Sequence, residues 1–204
     1  MSKLYFKYSV MNSGKSMQLL ATAYGLQEKH IPFLLLKSSV DTRDVGVIKS
    51  RGLGKRECII VKPEDSILTI FANEWGKSDY PIKWIFVDEA QFLTEKQVEE
   101  LSYIVDDCNI NVMCYGLRTD FKTHLFPGSK RLFEIADSFE EIKSSCYCNS
   151  KTIFNARIDG NKNIVTDGEQ IEIGGDNRYT SVCRKCYFEK TNHPLYKKNK
   201  NNLD

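Results

Sequence analysis

Ser9-Val10-Met11-Asn12-Ser13-Gly14-Lys15-Ser16 is the stretch on which the reading of this chain turns. It matches the phosphate-cradling pattern G-x-x-x-x-G-K-[ST] at every fixed position except the first, where serine stands in for glycine. Before it, Lys3 to Tyr8 has the character of a short strand. After it, Met17, Leu20, Ala21 and Tyr24 recur at helical spacing. The octet therefore bridges a strand and a helix beginning near Gly14, where free backbone N–H groups and the helix dipole favour an anion. In that setting Lys15 would neutralise β- and γ-phosphate charge, and Ser16 would offer its hydroxyl to Mg²⁺. On the octet alone, the plain alternative is a strand-to-helix turn that happens to spell Gly-Lys-Ser.

Working outward, Pro32 to Leu36 is an apolar run that suits a second buried strand. Ser38 to Lys55 shows neither a strand nor a helix period and reads as a mobile surface loop, long enough to fold over a ligand. Ile67, Ile70, Phe71 and Trp75 mark a helix, Gly76 to Pro81 a turn, and Ile82 to Val87 a strand. Thr94 with Gln97 spells a capping box, and Val98, Leu101, Val105 and Cys108 carry the apolar stripe of the helix it opens, which should run to about Cys108. Ile110 to Tyr115 follows as a strand, then a helix through Leu132, Ile135 and Ala136, then a last strand near Ile142. Strands alternating with helices predict an α/β fold: a P-loop, RecA-like, mostly parallel sheet flanked by helices.

Trp84-Ile85-Phe86-Val87 leads into Asp88-Glu89, which gives the octet a second half: a buried strand whose carboxyl end delivers an acidic residue to the metal. Asp88 is the expected Mg²⁺ partner, and Glu89, one residue on, is the candidate general base for a hydroxyl or water. The bland reading of the same residues is a strand that ends in a solvated acidic turn.

Near Ser145 the composition changes to closely spaced Cys, Gly and Asn. Cys146-x-Cys148 and Cys183-x-x-Cys186 are two close pairs separated by 34 residues, Asn149 to Val182. Four thiolates so arranged suit tetrahedral Zn²⁺ with no open position, a structural site rather than a catalytic one. Cys58, Cys108 and Cys114 fall singly in or beside apolar segments and read as small core residues. The chain thus divides into a nucleotide-binding domain over 1–144, a zinc-binding module over 145–192 and a tail over 193–204, the Lys- and Asn-rich end of which should be disordered.

Composition sets limits on partners. The 204 residues carry 29 basic and 27 acidic side chains, a formal charge of +2, which argues against a nucleic-acid partner. The first residues lack the pattern of a secretory signal and no apolar run approaches a membrane span, so a cytoplasmic, disulfide-free protein without a membrane partner is expected. Phe92, Phe121, Phe126 and Tyr179 stand in polar company; they suit a pocket for a planar base and equally a core. His30, His124 and His193 stand alone and read as surface or loop residues, and Lys197, Lys198 and Lys200 as part of a solvated tail.

Taken together, Ser9-x-Met11-Asn12-Ser13-Gly14-Lys15-Ser16, Asp88-Glu89-Ala90-Gln91-Phe92, Tyr115-Gly116-Leu117-Arg118-Thr119-Asp120-Phe121, and Gly174-Gly175 before Tyr179-x-Ser181-Val182-Cys183 resemble the cytosolic, zinc-containing thymidine kinases, particularly their bacterial branch. The likeness runs from Leu4 to about Tyr187, and serine at the first P-loop position is itself found in that branch. The resemblance implies ATP and thymidine as substrates, with the Ser9–Ser16 loop and Asp88 to Gln91 (Asp88, Glu89, Ala90 and Gln91) around ATP and Mg²⁺. It implies that Glu89 accepts the proton of the thymidine 5′-hydroxyl while Lys15 and Arg43, within Asp41-Thr42-Arg43, steady the phosphates. Phe92, Phe121, Phe126 and Tyr179 would line the nucleoside pocket. The zinc-tied loop would close as a lasso whose main chain at Gln170, Ile171, Glu172, Ile173 and Gly174 hydrogen-bonds thymine. A homotetramer inhibited by dTTP is implied as well. Several bacterial relatives have histidine where this chain has Cys186, a change that leaves zinc binding intact.

Two rival readings share the bare motifs. A nucleic-acid-stimulated P-loop ATPase with a zinc-ribbon module would use the same loop, acidic strand end and cysteines, and the near-zero net charge weighs against it. A zinc-stabilised interaction module that has lost its nucleotide site is opposed by the intact Lys15, Ser16, Asp88 and Glu89.

Overall fold

The fold is described from a computed structural model, which covers residues 1–41, 45–50, 52–170 and 178–196. Arg43, the lasso residues Ile171, Glu172, Ile173 and Gly174, and the Lys/Asn-rich end lie outside these residues.

Its strands are β1 (Leu4–Ser9), β2 (Phe33–Ser38), β3 (Val47–Ser50), β4 (Gly54–Glu57), β5 (Ile59–Val61), β6 (Trp84–Asp88), β7 (Asn111–Leu117), β8 (Ser138–Glu141), β9 (Phe154–Ile158), β10 (Ile164–Val165) and β11 (Tyr179–Val182). The helices are α1 (Lys15–Glu28), α2 (Ile67–Lys77), α3 (Glu95–Cys108), α4 (Pro127–Ile135) and α5 (Arg184–Lys190). The chain divides into two compact units. One comprises residues 1–9, 13–118 and 125–142, the other 10–12, 119–124 and 143–204.

In the first unit a sheet runs in the order β5-β2-β6-β7-β1-β8, and all of its pairings are parallel. Alternation along the strands sends residues to two cores. Ile85 and Val87 of β6 join Leu36, Val112 and Cys114 against Ile67 and Phe71 of α2, Val98, Leu101, Ile104 and Val105 of α3, and Leu132 of α4. Phe86, between them, joins Leu35, Met113 and Tyr115 against Leu19, Leu20 and Ala23 of α1 and Ile48 of β3. Burial on both faces accounts for the continuous apolar runs of β2 and β6, as a parallel sheet requires.

The capping box forms as expected. Thr94 Oγ1 accepts from Gln97 N, Gln97 Oε1 accepts from Thr94 N, and the helix ends at Cys108. Three local expectations are corrected. The buried stripe of α1 is Leu19, Leu20 and Ala23, while Met17, Ala21 and Tyr24 are exposed, because the sheet meets the helix on a face turned from the one the spacing suggested. Residues 38–55 are not a structureless loop: Val47–Ser50 pairs antiparallel with Gly54–Glu57, and Ile48 is fully buried against α1, which provides the apolar anchor that the segment's polar composition hid. Cys108 is exposed rather than core, whereas Cys114 is buried.

The second unit has a three-stranded antiparallel sheet, β10-β9-β11, followed by α5. Its small core consists of Cys146, Phe154, Ala156, Val182, Cys183, Cys186 and Tyr187.

Gly128, in the first turn of α4, allows a close approach. A Cβ there would stand 2.4 Å from Ala90 O and 2.8 Å from Leu93 O, contacts with backbone that a side-chain rotation cannot relieve. Gly128→Ala is expected to destabilise the protein by about 1–3 kcal/mol, the usual cost of overpacking. Urea unfolding of the variant beside the parent measures it, and an unchanged midpoint would contradict the expectation.

Candidate active site

Parallel strands place their carboxyl ends on one edge of the sheet, and that edge is where open α/β sheets take ligands. β1 ends at Ser9 and β6 at Asp88, with β7 between them, so the octet and the acidic pair start about two strand spacings apart, roughly 10 Å. Gly14 caps α1 with φ +87°, a left-handed conformation suited to glycine, and Asn12 also lies there at φ +57°. The helix then opens at Lys15, which is 7% exposed. Ser16 Oγ donates to Asp88 Oδ2 at 3.0 Å, joining the two motifs directly. Burial raises the Asp88 carboxyl to about 7, with the charge of Glu89 adding to the rise and Lys15 opposing it. Such a carboxylate has a cation or a phosphate-bound metal as its natural partner.

Glu89 is held unusually. Its φ of +53° and ψ of 37° are left-handed, a conformation that costs a non-glycine residue of order 1 kcal/mol or more and that swings the chain into a short 3₁₀ turn, Ala90–Phe92. Gln91, fully buried, reaches back: its Nε2 donates to Glu89 Oε2 at 2.6 Å while its Oε1 accepts from Leu117 N at 3.0 Å. Gly116 leaves room for this, since a Cβ there would lie 3.0 Å from Gln91 N and 3.1 Å from Gln91 Oε1. Gln91 is thus a positioner of the Glu89 carboxylate, a role that no motif pattern revealed. On the neighbouring strand, Lys37 of β2, the register partner of Asp88, forms a buried ion pair with Asp41 at 3.2 Å.

The four aromatics divide between the units. Phe92 and Phe126, in the first, pack edge to face at 5.4 Å between ring centroids. Phe121 and Tyr179, in the second, are joined by Arg157. The guanidinium lies 3.7 Å from the Phe121 ring centroid, and its Nε and Nη2 donate to Tyr179 Oη at 3.0 and 2.8 Å. Arg157 is 5% exposed and also donates from Nη2 to Glu169 O at 2.9 Å. Sequence reasoning missed it, because a single arginine in an apolar strand has no spacing that marks it. Gln170 Nε2 donates to Asp120 Oδ2 at 2.9 Å, so the side chain of the first lasso residue is engaged.

The cysteine pairs come together as their spacing predicted. The sulfurs of Cys146, Cys148, Cys183 and Cys186 all lie within 4.8 Å of one another, and Cys148 and Cys183 are 3.6 Å apart. Four sulfurs at about 2.3 Å from one tetrahedral zinc would stand about 3.8 Å from each other, so the donor set fits that ion. Cys183 Sγ caps α5 by accepting from Cys186 N at 3.4 Å, as a thiolate ligand at a helix start would. Hydrogen bonds from Ser150 lower the Cys148 thiol to about 6, toward the thiolate that a metal needs.

Comparison with known proteins gives the family. A family model described as Thymidine kinase matches residues 2–187. Curated proteins named Thymidine kinase are similar along nearly their whole length. The one from Zymomonas mobilis is 46% identical, covering 94% of this chain and 99% of its own. That of Pasteurella multocida is 45% identical, over 93% and 98%. That of Yersinia pseudotuberculosis is 44% identical, over 93% and 96%. A family model that matches residues 2–187, with relatives 44–46% identical over more than nine-tenths of the sequence, places this chain in the thymidine kinase family.

Proposed function

We propose that this chain transfers the γ-phosphate of ATP to the 5′-hydroxyl of thymidine, giving dTMP and ADP. The observation that carries the reading is the bond from Ser16 Oγ to Asp88 Oδ2, next to a Glu89 carboxylate fixed by Gln91. Lys15 and N–H groups of the 9–16 loop other than that of Met11, which donates to Asn155 Oδ1, hold the phosphates. Ser16 and Asp88 hold the Mg²⁺ that accompanies ATP and offsets charge on its phosphate oxygens. Glu89 takes the proton from the 5′-hydroxyl as that oxygen bonds to Pγ and the bond from Pγ to the β,γ-bridging oxygen breaks, which leaves ADP. Phosphoryl transfer of this kind needs positioning and charge neutralisation more than covalent help from the protein.

Arg43 is the second phosphate cation of this scheme. Phe92, Phe121, Phe126 and Tyr179 are the nucleoside-binding aromatics of this reading, and Arg157 fixes Phe121 and Tyr179 within their own unit. Residues 170–174 supply main-chain contacts to thymine, and Cys146, Cys148, Cys183 and Cys186 hold a structural zinc. The division of labour follows the reading 1–144 for nucleotide, 145–192 for the zinc-tied lasso and 193–204 as a tail. A cytoplasmic homotetramer inhibited by dTTP, without a nucleic-acid or membrane partner, completes the proposal; among the described residues no helix is long and apolar enough to cross a membrane.

The test is a single set of assays with purified protein, Mg²⁺ and γ-labelled ATP. Label is expected to pass to thymidine in equal amount to the ADP formed, and added DNA should leave ADP release unchanged. ADP release that needs DNA and transfers no label to thymidine would establish the ATPase reading instead.

A further inference from the structure

Met11 stands in the middle of the phosphate loop, and its peptide groups are held on both sides. Its N–H donates to Asn155 Oδ1 at 2.7 Å, and its carbonyl accepts from Ser181 Oγ at 3.0 Å. Both grips come from one rung of one ladder, since Asn155 on β9 and Ser181 on β11 are direct antiparallel partners. Asn155 is 3% exposed, and its Nδ2 donates to Thr119 O at 3.2 Å, so each end of the amide is engaged in the sense its chemistry requires. The residues 10–12 belong to the same compact unit as this rung, although the rest of the octet does not.

The loop has need of such a hold. Asn12 and Gly14 both have positive φ, so the segment visits left-handed conformations twice in three residues, and a free chain would spend little time there. An anion cradle works only if its N–H groups already point inward before the phosphate arrives.

We infer that Asn155 and Ser181 are positioning residues for the phosphate loop: the β9–β11 rung fixes Met11 and with it the conformation that binds ATP. The inference rests on the octet being the ATP site, and it adds that affinity for ATP depends on two side chains about 140 and 170 residues further along the chain. It also assigns the antiparallel sheet a task beyond the thymidine side of the reaction. β11 leads straight into Cys183, so the rung is continuous with the metal-binding cysteines.

Four variants of the full chain decide it: Ser181→Ala, Ser181→Thr, Asn155→Ala and, as a control on the site itself, Lys15→Met. ATP affinity is measured by titration without thymidine, KM is measured for each substrate, and zinc content and thermal melting are recorded. Ser181→Ala is expected to weaken ATP about five-fold, the value of one ordinary hydrogen bond, with kcat and the thymidine KM within two-fold of the parent. Ser181→Thr, which keeps a hydroxyl, should restore ATP affinity. Asn155→Ala should weaken ATP at least ten-fold; if it does not fold, the Ser181 pair decides alone. The inference is overturned if Ser181→Ala leaves ATP affinity unchanged while Lys15→Met abolishes it, or if both substrates weaken equally. Should Lys15→Met leave ATP binding intact, the octet is not the ATP site, and the reading beneath the inference fails with it.

Discussion

Glu89→Gln should lower kcat by about 10²-fold or more while ATP and thymidine bind nearly as well as to the parent. The substitution keeps the shape of the side chain. A glutamine at this position still presents an oxygen to Gln91 Nε2, so the 2.6 Å contact that fixes the group has a successor. The amide cannot take a proton from the 5′-hydroxyl, however, and that is the function removed. Binding of Mg·ATP should hold for a further reason. Asp88 is raised to about 7 first by burial and next by the negative charge of Glu89. Removing that charge eases ionisation of Asp88, so its hold on a cation is kept or strengthened. The split is what identifies the role: turnover falls, and dissociation constants from titration do not rise. Near-parental turnover would take Glu89 out of the mechanism. An equal loss in binding and turnover would instead make it a ligand-holding group.

The features that sequence reading recovered share one property, that their information is local. The octet, the acidic end of β6, the Thr94–Gln97 box and the two cysteine pairs each fit within a few residues, and each has a physical reason for its spacing. Parallel order followed from alternation of strand and helix, and β6 read as buried because an all-parallel sheet is covered on both faces. What escaped depends on partners remote in sequence. The true inner face of α1 is set by where Leu35, Phe86 and Tyr115 stand, not by the helix alone. The β3–β4 hairpin is held by one buried residue, Ile48, in a segment otherwise polar. Arg157, Asn155 and Ser181 are single polar residues on short strands, and nothing in their neighbours announces a partner 20 to 170 residues away. Nor does a sequence boundary near residue 145 anticipate that residues 10–12 and 119–124 pack with the later segment.

Those remote partners make the cysteine cluster the most consequential feature for stability. Three of the seven buried residues that form the core of the second unit are cysteines, so an ion held by the four sulfurs would supply much of what its hydrophobic packing lacks. Structural zinc sites in small modules contribute on the order of 10 kcal/mol or more of apparent binding free energy at neutral pH, far above what a core of this size supplies. Cys186→Ser, or chelation of the parent, should therefore reduce bound zinc from about one per chain and unfold this unit. The expected signs are rapid protease cleavage after residue 143 and a low-temperature melting step. The parallel sheet, with its own two apolar cores, should melt later and separately. Cys108→Ser, at an exposed position on α3, is the matched control and should change neither zinc content nor melting. ATP affinity should fall together with zinc, because unfolding of β9 and β11 releases Met11 from Asn155 and Ser181. If Cys186→Ser retains full zinc and a parental melt, the four sulfurs are not a ligand set. If zinc leaves and the second unit stays folded, its core is sufficient without metal, and the ion has no structural task.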